Sequence, residues 1–93
     1  MLAGLCSIEL HLEGVTSLKE KRRIIKSLIQ RIHNRFNVSV AEVEYQDYWQ
    51  RAKLGVACVS NESKHICHVL QQVVNFINRC PEVDLADYSI EIL

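Results

Sequence analysis

An α+β sandwich of four strands and two helices, one domain over residues 1–93, is the architecture this sequence predicts. Three observations predict it. Residues 17–36 and about 62–80 place apolar side chains at helical spacing. Residues 2–12, 38–45, 54–60 and 85–92 alternate in polarity or run compactly apolar, with many β-branched side chains. Their order is strand, helix, strand, strand, helix, strand, the split βαβ pattern of a ferredoxin-like sandwich. Both helices then cover one face of a four-stranded antiparallel sheet, in the spatial order 4-1-3-2.

In the first strand Cys6, Ile8, Leu10 and Leu12 share one face, and Ser7, Glu9 and His11 share the other. Gly14 supplies the turn that follows. Ser17 and Glu20 form an S-x-x-E capping box at the start of the first helix. Its buried stripe is Leu18, Ile25, Leu28, Ile29, Ile32 and Phe36, and Asn37 is a suitable stop. The strand at 38–45 sets Ala41, Val43 and Tyr45 on one face and Val40, Glu42 and Glu44 on the other. Residues 46–53 form a polar and aromatic connection, and the apolar stretch 54–60 suits a central strand. Asn61 or Ser60 caps the second helix, whose stripe is Ile66, Val69, Leu70, Val73, Ile77 and Cys80, and Pro81 ends it. Tyr88, Ile90 and Ile92 point inward from the last strand.

The charge is unevenly distributed. The first helix carries Lys19, Lys21, Arg22, Arg23, Lys26, Arg31 and Arg35 against Glu20 alone, a net of +6 in a chain whose total is zero. The remainder therefore carries −6. Lys19, Arg22, Arg23 and Lys26 fall three or four residues apart on adjacent turns, so their charges add over one patch. Arg31 and Arg35 continue the supply of cations along another side. Such a surface suits phosphate, because each contact releases a condensed counterion. Its simpler use is a solvated face paired with nearby carboxylates.

A second candidate lies in the 46–53 connection. Trp49, the sole tryptophan, has Tyr45, Tyr48, Arg51 and Lys53 around it. Aromatics beside cations stack on unpaired bases, and they also plug sheet ends or anchor dimer contacts. The exposed sheet face is a poorer place for nucleic acid. It is expected to offer Glu9, His11, Glu42, Glu44 and Glu91, with no aromatic platform on its middle strands. Mixed with Leu5, Val40 and Val59, it suits a homodimer packed sheet to sheet instead.

Other chemistry finds little support. Phosphate-loop, dinucleotide, nucleophile-elbow and zinc-protease motifs are missing, and three glycines leave no phosphate-cradling loop. Glu42 and Glu44 have nothing around them to shape a pocket. His65 and His68 stand at i, i+3, but Cys67 points elsewhere and no carboxylate completes a metal set. No catalytic residue, metal or cofactor is therefore expected, and the chain reads as a non-enzyme. Cys6, Cys58, Cys67 and Cys80 form no C-x-x-C pair and read as small buried hydrophobes. The N-terminal stretch lacks a basic leader and reads as a strand, and no apolar run approaches the roughly 20 residues of a membrane span. A cytoplasmic location without membrane association is the expectation.

The segments SLKEKRRIIKSLIQRIHNRFNVSVAE, QDYWQRAKLGVACVSN and the terminal IEIL resemble the YlxP-like family of small bacterial proteins. That family is a domain of unknown function with a ferredoxin-like fold. The residues in its shared segments are Ser17, Leu18, Lys19, Glu20, Lys21, Arg22, Asn34, Arg35, Phe36, Asn37, Asp47, Trp49, Gln50 and Arg51. Its genes tend to lie among those for translation initiation and ribosome maturation, which implies association with RNA or a ribosomal subunit. On this reading Lys19, Arg22, Arg23 and Lys26 contact phosphates, Arg31 and Arg35 extend the patch, and Trp49 with Arg51 gives a stacking or docking contact. The competing reading is a protein-interaction or homodimerisation module with no nucleic-acid binding.

Overall fold

The computed structural model describes residues 1–93 and consists of β1 (Leu2–His11), α1 (Leu18–Arg35), β2 (Ser39–Glu44), β3 (Arg51–Ser60), α2 (Ser63–Asn78) and β4 (Asp84–Ile92). The sheet runs β2-β3-β1-β4 with every pair antiparallel. That is the order 4-1-3-2 counted from the opposite edge.

Alternation along the two central strands builds the core. Cys6, Ile8 and Leu10 of β1 face the helices beside Ala52, Leu54, Val56 and Cys58 of β3. Ile25, Leu28 and Ile32 of α1 and Ile66, Leu70, Val73 and Ile77 of α2 close over them. Each fully buried Leu or Ile contributes about 1.5–3 kcal/mol from removal of apolar surface from water. Gly4 lets α2 lie close on β1, because a Cβ there would collide with the Ile66 side chain.

The helix ends depart from the sequence reading in detail. The Ser17 hydroxyl accepts from the Glu20 amide at 3.1 Å, but the Glu20 carboxylate makes no return bond, so half of the capping box forms. α1 stops at Phe36, whose amide donates to the Ile32 carbonyl at 2.9 Å, rather than at Asn37. The cap of α2 is Glu62, not Asn61 or Ser60, and its side chain makes no capping bond. The Ser60 hydroxyl accepts from the Glu62 amide at 3.2 Å, one step outside the helix.

Two strand boundaries also move. β3 starts at Arg51, so Arg51 and Lys53 are strand residues and not part of the preceding connection. The cause is β1, which pairs with β3 continuously as far as His11 opposite Arg51. β2 ends at Glu44, and Tyr45 leaves it with a left-handed φ of 64°.

β2 contains a bulge that overturns the expected pairing of Glu42 with Glu44 on the open face. Glu42 lies opposite Leu54 and faces the helices, whereas Glu44 lies opposite Lys53 on the other side. The extra residue, Val43, absorbs the change of parity. Val40 is 7% exposed and belongs to the core, so it leaves the open-face set as well. Cys67 is exposed on α2, against the expectation that every cysteine is buried, while Cys6, Cys58 and Cys80 are buried and all four are free thiols. Tyr88 shares the register of Ile8 but lies on an edge strand and stays 41% exposed, so it does not join the core with Ile90 and Ile92.

Candidate nucleic-acid interface

The N-terminal half of α1 and the 45–50 connection form one surface. On a helix of 3.6 residues per turn, Lys19, Arg22, Arg23 and Lys26 fall within about 100° of arc, clear of the apolar stripe. All four are exposed. Only Arg22 has a carboxylate partner, Asp47 at 3.8 Å, and both of those side chains are well hydrated. Lys19, Arg23 and Lys26 form no ion pair. Together with Ser17 and Glu20 the four cations line a shallow depression.

Lys21 does not belong to this surface. Its side chain is fully buried, so the basic face has one cation fewer than the sequence suggested. An ammonium has three donors, and in the interior each needs an acceptor. Here Nζ donates to the Glu42 carboxylate at 2.6 Å, the Tyr45 carbonyl at 2.8 Å and the Gln46 carbonyl at 3.4 Å. One buried charge thus ties α1 to β2 and to the loop beyond it. The signal was present in the spacing. Lys21 precedes Ile25, Leu28 and Ile32 by 4, 7 and 11 residues, which places it within the apolar stripe.

The loop that Lys21 holds is also fixed at its other end. The Gln50 amide side chain donates to the Val15 carbonyl at 3.1 Å, and the Gln50 carbonyl accepts from the Leu12 amide at 3.0 Å. Within the loop the Tyr48 amide closes a turn onto the Tyr45 carbonyl at 3.0 Å. Tyr45 and Tyr48 meet edge to face at 5.3 Å, and the Arg51 guanidinium lies 4.0 Å from the Tyr45 ring centre. Trp49 and Tyr48 nevertheless remain 51% and 53% exposed. Sequence reasoning singled out Trp49 and Arg51 and missed Lys21, Glu42, Tyr45 and Gln50 as the residues that hold them.

Arg31 shares a shallow depression with Arg23, and Arg35 lies further along α1. Arg31 pairs with Glu82 at 2.8 Å and approaches the Cys80 sulfur at 3.8 Å. The hydrogen bond to Glu82 raises the Arg31 pKa, holding its charge more firmly. Burial pushes the Cys80 thiol up. The Arg35 guanidinium lies over the Phe76 ring at 5.1 Å. His65 and His68 are exposed on α2, and no group of three or more His, Cys, Asp or Glu side chains is close enough to hold a metal ion. No helix is long and apolar enough to cross a membrane.

A sheet covered on one face by two helices, in βαββαβ order, defines a small ferredoxin-like α+β protein, here with a cationic helix face set against an aromatic loop. The chain belongs to the family described as Protein of unknown function (DUF503), which it matches over residues 3–90. It is 40% identical over 83 residues to the Uncharacterized protein YlxP of Bacillus subtilis (strain 168), covering 89% of this chain and 90% of that one. Among solved structures it is similar to LarC2, the C-terminal domain of a cyclometallase involved in the synthesis of the NPN cofactor of lactate racemase, in its apo form. The TM-score there is 0.41 at 13% identity, over 100% of this chain and 56% of that one.

Proposed function

We propose that the protein is a non-enzymatic, cytoplasmic RNA-binding module that docks on structured RNA or on the RNA surface of a ribosomal subunit through the N-terminal half of α1. The observation that carries this reading is the cluster Lys19, Arg22, Arg23 and Lys26. Four exposed cations share one helix face, and three of them lack any carboxylate partner. Keeping like charges adjacent on a helix costs a few tenths of a kcal/mol per pair, so an unneutralised cluster favours an anionic partner over mere solubility. Trp49 is carried on the loop beside the cluster, Arg51 lies on β3 against the Tyr45 ring, and Arg31 is neutralised by Glu82 and contributes least.

The test is co-sedimentation of the protein with ribosomal subunits and with total RNA at low and raised salt. The comparison is a variant carrying Arg22→Glu, Arg23→Glu and Lys26→Glu. Salt-sensitive binding that the variant loses supports the reading. Salt-insensitive binding, or binding that the variant retains, refutes it. A homodimeric interaction module is the competing function, favoured by Leu5, Val43 and Val59, which stand 43%, 48% and 64% exposed on the open sheet face. A stable dimer with no RNA binding is its signature.

A further inference from the structure

The basic face alone supplies phosphate contacts, which position an RNA without reading its bases. The loop beside it adds an exposed aromatic side chain, Trp49. We propose that this interface prefers RNA with an unpaired base next to its backbone, a hairpin loop or single strand, over continuous duplex. Trp49 is the stacking surface and Lys21 is the residue that positions it. This deepens the RNA reading above and rests on it.

Three observations carry the proposal. The first is exposure on an anchored loop. Trp49 is half-exposed, yet the loop is pinned by Lys21 at one end and Gln50 at the other. An indole carried on an anchored backbone loses less further freedom when a base stacks on it. The second is strain. Tyr45 adopts φ 64°, a conformation costly for a bulky residue, and in that conformation its carbonyl accepts from both Lys21 and the Tyr48 amide. The third is position. Asp47 contacts Arg22 at 3.8 Å, and Trp49 follows two residues later, so their Cα atoms are within about 7 Å of each other. An RNA strand with its phosphates along Arg22 therefore runs beside the segment that carries the indole.

An A-form duplex cannot use this arrangement. Its bases are stacked on one another and show only their edges in the grooves, so an aromatic beside the phosphates finds no π face. A splayed base offers its face at once, and stacking on aromatics tolerates any of the four bases. The preference is therefore for single-stranded character and not for sequence.

The experiment titrates the protein with a labelled stem–loop and with a blunt duplex of equal phosphate count, reading anisotropy and the emission of Trp49, the sole tryptophan. The stem–loop is expected to bind roughly five- to a hundredfold tighter, as one stacked base implies, and to quench Trp49 when the duplex does not. Trp49→Ala should bind both RNAs equally, at the affinity of the wild type for duplex. Lys21→Met removes no exposed charge, so it should keep duplex binding and lose the preference. Gln50→Ala frees the loop from Val15 at its other anchor and should do the same, which decides the positioning role even if Lys21→Met fails to fold. Equal binding of both RNAs by the wild type, with Trp49 unquenched, overturns the inference and leaves the RNA reading standing. Retention of the preference in Lys21→Met, or in Gln50→Ala where Lys21→Met does not fold, overturns the positioning role of the anchored loop. Binding of neither RNA, with a dimer that Trp49→Ala abolishes, refutes both readings and assigns the loop to a protein contact.

Discussion

The Lys21 ammonium meets the Glu42 carboxylate at 2.6 Å beneath the edge of the sheet, with the lysine wholly buried and Glu42 16% exposed. Desolvating two charges is expensive, and their attraction offsets it only when the remaining donors are also satisfied. The Tyr45 and Gln46 carbonyls complete the set. Lys21→Ala should therefore destabilise the fold by about 3 kcal/mol, because it strands Glu42 and frees the loop. Lys21→Met with Glu42→Leu, which fills the space with apolar groups, should recover most of that loss. Urea denaturation of the two variants checks both statements.

How much of this was legible depended on whether a pattern was local. The stripes of Ile25, Leu28 and Ile32 and of Ile66, Leu70 and Val73 announce themselves by spacing, and the sheet order follows from the element order. The N-terminal basic patch is legible for the same reason. The bulge at Val43 was hidden, since alternation on either side of it looks unbroken. Val40 and Glu42 share a face ahead of the bulge, so taking the glutamate as solvated puts both on the open side and counts Lys21, the partner of Glu42, with the surface cations. A lysine in an apolar stripe is the cue that would have corrected both. The anchoring of the loop by Gln50 had no local signal at all, because Val15 lies 35 residues away.

The four-cation patch predicts a specific salt dependence. If Lys19, Arg22, Arg23 and Lys26 each neutralise one phosphate of a single strand, log K should fall with log salt at a slope of about −3. Reversing Arg22, Arg23 and Lys26 to glutamate should abolish measurable binding at moderate salt. Replacing only Lys19 by Ala should leave binding intact and make the slope shallower by about 0.7. Anisotropy titrations across a salt series measure each slope directly.

Arg31 predicts the opposite behaviour. Its pair with Glu82 is short at 2.8 Å, but the two side chains are 39% and 40% exposed. Water screens such a pair, so Arg31→Ala should cost under about 1 kcal/mol of stability. RNA affinity should change far less than with Arg22→Ala, since the Arg31 charge is already compensated. Thermal melts and RNA titrations on the two single variants separate the roles.

The thiols give a prediction that turns on burial. Cys67 is exposed and the other three are buried, so a thiol reagent at mildly alkaline pH should label Cys67 in the native protein and reach Cys6, Cys58 and Cys80 only on unfolding. Burial pushes the Cys6 thiol up from the usual 9.0 to about 11. Between those values the unfolded chain releases the Cys6 proton and the folded chain keeps it, so raising the pH favours unfolding. The contribution is complete below pH 9 and is lost as the pH climbs toward about 11. Cys6→Ala lowers stability at every pH by leaving a cavity, but it removes this titration. The stability gap between wild type and Cys6→Ala should therefore narrow as the pH rises from 9 toward 11, as measured by denaturant midpoints. A gap that stays constant would show that Cys6 is not shielded from water in the folded state.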